Sequence, residues 1–185
     1  MSIELVIFDL DGVLVDACEW HRLALNSALK EVCDYEISLE DHYNSFNGLP
    51  TKTKLKKLVE TGKISEESCE AVYHSKQDKT METIEQHAKK RLEKEVMLFW
   101  LKVKGIKVAC CTNSIRQTTE LMLEKTGISN YFDLVITNQD VTEPKPDPEG
   151  YNYVVGFFKA EKENTIIIED SPKGLAAAHA SGCKV

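Results

Sequence analysis

The sequence predicts an α/β fold with a doubly wound parallel sheet and an inserted helical segment. Three observations predict it: short apolar runs, helix-period segments between them, and one long interval without a strand-like run. The runs are almost continuously apolar, as in strands of a parallel sheet that helices cover on both faces. With 185 residues, of which 42% are hydrophobic, the chain is long enough to form a core of its own.

Four apolar runs are the predicted strands. They lie at residues 3–8, 106–111, 134–137 and 165–168. Two helices are predicted between and after them, at 116–125, which stops before Gly127, and at 174–180. The second follows Ser171 and Pro172, which suit an N-cap and the first helical position. Strands that alternate with helices indicate a doubly wound, Rossmann-like domain.

The long interval after the first strand predicts a second domain. Its charged helical segments lie at 19–32, 53–60, 66–80 and 83–94. We expect residues 17–94 to form a helical cap over the edge of the sheet, and residues 1–16 and 95–185 to form the core. The sequence ends two residues into an expected fifth strand, so the core is expected to be truncated at its C-terminus, with one sheet edge exposed.

Charge and composition narrow the class of partner. A net charge of -7 and a pI near 5.3, without a long Lys/Arg run, argue against nucleic-acid binding. A small anionic substrate is still compatible with this charge, because a local cationic pocket or a metal can override the global charge.

No apolar run reaches the ~18 residues of a membrane span, and no basic leader precedes one. We therefore expect a cytoplasmic protein, monomeric or homodimeric, with no membrane contact. The six cysteines contain no CxxC pair and are expected to be unpaired thiols.

Polar residues follow each predicted strand. They are Asp9 and Asp11 after the first, Thr112, Asn113 and Ser114 after the second, Lys145 after the third, and Glu169 and Asp170 after the fourth. Each alone could be a cap or a solvated loop charge. Because the carboxyl ends of parallel strands meet at one edge, where ligands bind, we expect acids, a hydroxyl and a lysine to share one pocket.

Strand-terminal carboxylates that face one another predict a bound cation. Asp9, Asp11 and Asp170 would repel strongly without one, and hard oxygen ligands in this number suit Mg²⁺. An EF-hand is excluded, because the fifth and twelfth positions of such a loop would be Val13 and Trp20, neither of which ligates calcium.

Four motifs, "FDLDGVLVD", "CTNS", "KPDP" and "IEDSPKG", follow the strands in this order. Together they resemble the haloacid dehalogenase superfamily, and within it the subgroup with an α-helical cap that includes phosphoglycolate phosphatases and β-phosphoglucomutase. The resemblance covers the whole chain. It implies that Asp9 is the nucleophile that forms an aspartyl-phosphate, and that Asp11 protonates the leaving oxygen and then deprotonates the attacking water.

The resemblance also implies a phosphate site and a metal site. Thr112 and the backbone of Asn113 would hold the phosphoryl oxygens, while Lys145 would neutralise their developing charge. The metal ligands would be Asp9, the carbonyl of Asp11, Glu169 and Asp170, around a Mg²⁺ ion.

The cap is expected to select the substrate. His21 and Lys76 resemble positions that reach the active site in β-phosphoglucomutase, and "NGLPTKTKL" resembles its substrate-specificity loop. Where that mutase has an arginine that grips a second phosphate, this chain has Thr51; Lys52 or Lys54 could substitute, without the bidentate fork. His21 could equally be an interfacial histidine, and Lys76 a solvated lysine.

Three functions are compatible with these residues. The first is a Mg²⁺-dependent phosphatase that hydrolyses a small phosphorylated metabolite, and the second is a sugar-phosphate mutase similar to β-phosphoglucomutase. The third is a catalytically weak binding or regulatory protein. Asp11 argues against relatives that cleave carbon-halogen or carbon-phosphorus bonds, because those have no alcohol leaving group to protonate and lack this aspartate. The complete set of motif residues favours an enzyme.

Overall fold

Four parallel strands form one sheet in the computed structural model, which describes residues 2–185. The strands are β1 (Leu5–Phe8), β2 (Lys107–Cys111), β3 (Leu134–Ile136) and β4 (Thr165–Ile168), in the order β3-β2-β1-β4. Each begins and ends within two residues of its predicted bounds. The parallel pairing confirms the predicted α/β class.

Eight α-helices accompany the sheet over the described residues. They are α1 (Cys18–Cys33), α2 (Leu39–Asp41), α3 (Thr51–Glu60), α4 (Cys69–His87), α5 (Leu92–Val103), α6 (Arg116–Lys125), α7 (Glu149–Phe158) and α8 (Pro172–Ser181). A π-helical segment, His42–Phe46, continues α2. The predicted cap of α8 is present, because the Ser171 hydroxyl oxygen accepts a hydrogen bond from the Gly174 N–H at 3.1 Å.

Strand β1 is buried on both faces. Val6 and Phe8 pack towards α5 and α6, whereas Leu5 and Ile7 pack towards α7 and α8. Successive side chains of a strand point to opposite faces, so a strand between two helical layers needs an apolar residue at every position. This explains why the apolar runs in the sequence do not alternate with polar residues.

The helix boundaries differ most from the prediction between residues 80 and 103, and two helices, the short α2 and α7, were not predicted. The segment predicted as a helix at 83–94 is wrong, because α4 continues to His87, the chain is extended at Ala88, and α5 begins at Leu92. The segment contains neither glycine nor proline, so local propensity does not mark the break. At the break Ala88 packs against the core of the sheet, a tertiary contact that the local sequence does not show. Helix α7 was not predicted.

Helices α1 to α4 form the inserted segment between β1 and α5. A separate apolar cluster joins α1, α3 and α4, with Leu25, Leu29, Leu55, Leu58 and Val72 among its buried members. The far end of α4 leaves this cluster, and its Ile84 is buried in the cluster that lies under the sheet.

The C-terminal residues extend the sheet beyond β4. Lys184 forms a parallel bridge with Ile166, and its carbonyl accepts a hydrogen bond from the Ile167 N–H at 2.8 Å. Lys184 thus lies where a fifth strand was expected.

All six cysteines are unpaired thiols, as predicted. Over residues 2–185 no helix has both the length and the apolar character that crossing a membrane requires.

Helix α5 offers a matched test of the core. Leu98 is fully buried, whereas Leu92 on the same helix is 72% exposed. We expect Leu98→Ala to lower the free energy of unfolding by about 2–5 kcal/mol, because it leaves a cavity under the sheet. Leu92→Ala should change it by less than about 1 kcal/mol. Urea unfolding monitored by circular dichroism measures both, and equal losses would contradict this packing.

Candidate active site

The loops that follow the strands open into one cavity of about 400 Å³, between the edge of the sheet and the inserted helices. The predicted site residues that line it come from both sides of this cleft. They are Asp9, Asp11, Thr112, Asn113 and Lys145 from the sheet, and His21, Thr51, Lys52 and Lys76 from the inserted segment. Residues from distant parts of the sequence therefore converge as the strand topology predicts.

A buried lysine links two of the strand-end carboxylates. The Lys145 ammonium donates hydrogen bonds to Asp9 Oδ1 at 2.7 Å, Glu169 Oε1 at 2.5 Å and the Cys111 carbonyl at 2.8 Å. The Lys145 side chain is only 7% exposed. Three acceptors use all three N–H groups of the ammonium, so Lys145 holds a single position between β1, β2 and β4.

Charge in this cluster is not balanced. Burial raises the pKa of Asp9 to about 7, the Lys145 ammonium opposes this shift, and Glu169 and Asp11 add to it. Burial and the neighbouring Glu169 also raise the pKa of Asp170. Carboxylates with raised pKa values indicate that one ammonium does not neutralise the acids gathered here. Such a site gains stability from a further positive charge.

The donor set fits a divalent cation. Oxygen atoms of Asp9, Glu169 and Asp170 all lie within 4.8 Å of one another. The loop after β1 makes room for them: Gly12 has φ +92°, and a Cβ there would lie 2.0 Å from Asp170 Oδ2. Clustered carboxylate oxygens are the ligands that Mg²⁺ takes in proteins. The Asp11 side chain lies outside this group and faces the inserted helices.

Glu169 has further contacts that hold it in place. Its Oε1 accepts a hydrogen bond from the Tyr151 hydroxyl at 2.6 Å, and its Oε2 accepts hydrogen bonds from the N–H groups of Asp170 at 3.1 Å and Ser171 at 3.3 Å. In this arrangement Glu169 holds Lys145 and also belongs to the cluster of three carboxylates. Tyr151 lies on α7 and no sequence signal pointed to it.

Asp11 lies in a different environment from Asp9. Its Oδ2 accepts a hydrogen bond from the Ser114 hydroxyl at 2.7 Å, and its Oδ1 lies 3.1 Å from His21 Nε2. Burial acts to raise the pKa of Asp11, but His21 and Ser114 together hold it below its usual value. Ser114 is one of the polar residues that were predicted to follow β2 and to share the pocket, but the sequence analysis gave it no role of its own.

His21 connects Asp11 to Lys76. The Lys76 ammonium lies 3.3 Å from His21 Nδ1. An ionised carboxylate can only accept, so the contact with Asp11 places the ring proton on Nε2 and leaves Nδ1 as the acceptor towards Lys76. Burial lowers the pKa of His21 and keeps the ring neutral. Lys76 is 6% exposed, so the alternative of a solvated surface lysine is wrong.

Asn113 joins the inserted segment to the sheet. Its amide nitrogen donates to the Gly48 carbonyl at 2.9 Å and to the Lys145 carbonyl at 3.1 Å, and its amide oxygen accepts from the Lys145 N–H at 3.1 Å. The adjacent Thr112 is buried, and its hydroxyl oxygen accepts a hydrogen bond from the Ser114 N–H at 3.1 Å. The predicted phosphate contact of Asn113 uses its backbone, which these side-chain bonds orient.

The residues of the loop that is predicted to select the substrate differ in how far they are exposed to solvent. Thr51 is half-buried, and Lys52 is exposed, with its ammonium 5.7 Å from the centre of the Tyr73 ring. Lys54 is buried and lines the cavity. His42 and Gln77, which the sequence analysis did not select, also line it.

Comparisons with known proteins agree with this architecture. The family model described as "Haloacid dehalogenase-like hydrolase" matches residues 6–185. A phosphoglycolate phosphatase of Aquifex aeolicus is 28% identical over 183 residues, which cover 97% of this chain and 81% of that protein. The pyrophosphatase PpaX of Oceanobacillus iheyensis is 28% identical over 180 residues, 92% of this chain and 76% of that protein.

Solved structures show the same fold. CbbY from Rhodobacter sphaeroides, in complex with xylulose-(1,5)bisphosphate, has a TM-score of 0.88 at 22% identity, covering 98% of this chain and 84% of that chain. A β-phosphoglucomutase from Clostridium difficile has a TM-score of 0.84 at 24% identity, with 98% and 82% covered. The fold and the site define a hydrolase with an aspartate at the end of its first strand. The chain belongs to the haloacid dehalogenase-like hydrolase family, which confirms the predicted resemblance and the prediction of an enzyme.

Removal of the buried ammonium tests the charge balance. Lys145→Met leaves Asp9 and Glu169 without their common partner, and we expect it to lower the free energy of unfolding at pH 8 by about 3–5 kcal/mol in metal-free buffer. Lys102→Met, which removes the surface pair with Asp133, should cost less than about 1 kcal/mol.

The loss should depend on pH. In Lys145→Met the pKa of the buried Asp9 carboxyl lies further above its unfolded value, because the ammonium that opposed the effect of burial is gone. The native state therefore binds more protons than the unfolded state, and the penalty shrinks as pH falls from 8 to 5. Denaturant titrations at several pH values measure this. A penalty that is constant or grows towards pH 5 would contradict the assignment.

Proposed function

We propose that the protein is a Mg²⁺-dependent phosphatase that hydrolyses a small phosphorylated metabolite through an aspartyl-phosphate intermediate. The observation that carries this proposal is the contrast between Asp9 and Asp11. Asp9 is held by the Lys145 ammonium at 2.7 Å, whereas Asp11 is held by His21 and Ser114. Two carboxylates in different environments at one cavity can serve two different roles: Asp9 as the nucleophile and Asp11 as the general acid and base. The relatives named as phosphatase and pyrophosphatase support the reaction class.

In the first step Asp9 attacks phosphorus, and the bond to the leaving oxygen breaks. Lys145 fixes the Asp9 carboxylate, and its charge opposes the negative charge that develops on the phosphoryl oxygens. The Thr112 hydroxyl and the Asn113 N–H hold these oxygens. A phosphate dianion beside Asp11 raises the pKa of that carboxyl, which favours the protonated form that donates to the leaving oxygen.

In the second step water attacks the phosphorus of the aspartyl-phosphate. Asp11, now ionised, accepts the proton of the water, and Asp9 is released as a carboxylate. The Ser114 hydroxyl and His21 Nε2–H hold Asp11 towards the cavity in both steps.

The carboxylates of Asp9, Asp170 and Glu169, with the carbonyl of Asp11, are the residues that would hold Mg²⁺. When bound, the ion supplies positive charge that neutralises the phosphoryl oxygens and aligns them with Asp9. The unbalanced acids and the space at Gly12 support this assignment.

Residues 17–94 are proposed to act as the cap that covers the substrate. Two contacts support this: Asn113 donates to the Gly48 carbonyl at 2.9 Å, and the Lys173 ammonium donates to the Asn47 carbonyl at 3.3 Å. Both hold the "NGLPTKTKL" loop against the ends of the strands. A covered site keeps bulk water from the reacting groups.

The two alternatives are less well supported. A mutase needs a grip on the second phosphate of its bisphosphate intermediate. Thr51 stands where β-phosphoglucomutase has an arginine, and Lys52 or Lys54 in its place would lack the bidentate fork. A binding protein without catalysis would not need Asp9, Lys145 and Glu169 to form a hydrogen-bonded buried cluster.

The nucleophile has a direct test. Asp9→Asn keeps the shape of the side chain but removes its nucleophilic charge, so we expect phosphate release to fall by at least about 10³-fold. Release is measured from 2-phosphoglycolate, sugar phosphates, nucleotides and an aryl phosphate with Mg²⁺ present. Asp16→Asn is the matched control, because Asp16 lies on the same loop but pairs with Arg91 at the surface.

Activity retained by Asp9→Asn would contradict the nucleophile assignment. Interconversion of hexose 1- and 6-phosphates without release of phosphate would favour the mutase. Folded protein that acts on no member of the panel would favour the binding protein.

The metal requirement has a second test. We expect excess chelator to abolish phosphate release and added Mg²⁺ to restore it, because the acidic cluster is otherwise not neutralised. Mg²⁺ should also raise the melting temperature of the wild type and not that of Asp170→Asn, since a ligand that binds only the native state stabilises it. Full turnover in chelator would refute the Mg²⁺ proposal.

A further inference from the structure

A second cavity, of about 270 Å³, lies where the inserted segment joins the core. One connection leads from β1 to α1, and the other, residues 88–91, leads from α4 to α5. Trp20 and His87 line the cavity from the inserted segment, and Thr126 and Ile128 line it from the core. It shares no lining residue with the active-site cavity, so the two are separate places on the molecule.

Cations dominate the wall of this second cavity. Lys89, Lys90, Arg91 and Lys94 line it, against a single acid, Asp16. Arg91 pairs with Asp16, whereas over residues 2–185 no carboxylate lies within salt-bridge distance of the three lysine ammonium groups. The chain as a whole has a net charge of -7. Three cations without a counterion at one cavity create a local positive potential, which attracts an anion.

Lys90 lies against the core side of the cavity. Gly127, which follows α6, has φ +74°, and a Cβ there would lie 2.8 Å from Lys90 Cε and 3.3 Å from its Nζ. The missing side chain lets the apolar stem of the lysine pack on the end of α6 while its ammonium stays in water. This lysine of the second connection is therefore in contact with the core, at the wall of the cavity.

Two aromatic rings stand beside these cations. Trp20 is half-buried, and the centre of its ring lies 6.3 Å from that of His87, with 36° between the ring planes. Leu14, Val15 and Ile128 add apolar surface. Aromatic side chains stack on nucleobases, and lysines bind phosphate groups. The volume is close to that of the smallest small-molecule sites, about 300 Å³.

We infer that this cavity binds a nucleoside polyphosphate, with the base on Trp20 and His87 and the phosphates on Lys89, Lys90 and Lys94. A ligand in this position contacts both connections, and so it holds the inserted segment and the core together. The inference does not depend on the proposed phosphatase function, because none of these residues belongs to the active site.

Trp20 provides the readout. The chain has two tryptophans, Trp20 and Trp100, so Trp100→Phe leaves Trp20 as the single tryptophan fluorophore. We expect ATP, added in metal-free buffer with chelator, to quench this fluorescence, because its base stacks on the indole. Tripolyphosphate should displace ATP and reverse the quenching. Adenosine should bind at least about tenfold more weakly than ATP, because it lacks the charge that the lysines recognise.

Two double variants in the Trp100→Phe background test the lysines. Lys90→Met with Lys94→Met should raise the Kd for ATP by about tenfold or more, the effect of losing hydrogen bonds to a charged group. Lys56→Met with Lys104→Met makes the same change of net charge at two exposed lysines outside the cavity and should leave the Kd unchanged. The Kd should also rise as NaCl is raised from about 50 to about 300 mM, because salt screens the attraction.

Hydrogen exchange followed by mass spectrometry locates the ligand. ATP should slow exchange in residues 13–20 and 87–94. Protection confined to residues 47–54 and 112–114 would place the nucleotide in the active-site cavity and overturn the inference.

Three fluorescence results would also overturn it. The first is the absence of quenching up to about 1 mM ATP, beyond which binding is weak. The second is an equal Kd in the two double variants, and the third is tripolyphosphate that fails to displace ATP.

Discussion

The contact of the Lys145 ammonium with Asp9 and Glu169 is the interaction on which the site depends. It joins the ends of three strands, because the same ammonium also donates to the Cys111 carbonyl on β2. A buried ion cluster of this kind contributes little net stability when it is complete but is costly to break. The order of the strands explains this arrangement. Because β1 lies between β2 and β4, the Asp9 carboxylate that follows β1 stands in the middle of the strand ends, next to the residues that follow the neighbouring strands.

Two glycines let the acids approach one another. A Cβ at Gly12 would lie 2.0 Å from Asp170, and one at Gly174 would lie 1.9 Å from Glu169. Both glycines stand within the motifs that hold the acids, and any side chain at either position would displace a carboxylate. The site therefore requires glycine at these two positions as well as the charged side chains.

The sequence predicted the sheet and its strand-end residues well. Continuous apolar runs indicate strands that are buried on both faces, and in a parallel sheet the residues that follow such strands must meet at one edge. It did not predict α7, whose Tyr, Val and Phe residues are more typical of strands and which becomes helical by packing on the sheet. It also did not distinguish Lys54 from Lys52, since the two lie on one charged helix and only the packing of α3 buries the first. Tyr151, His42 and Gln77 were missed for the same reason: tertiary contacts bring them to the site, and no sequence motif marks them.

Asn113 connects the inserted segment to the proposed phosphate site. Its side chain holds the Gly48 loop, while its backbone is proposed to hold phosphoryl oxygens. The position of one side chain therefore sets both the contact between the Gly48 loop and the strand ends and the geometry of the proposed phosphate contact. A substitution at Asn113 removes the two together, so its effect on phosphate binding cannot be separated from its effect on the loop.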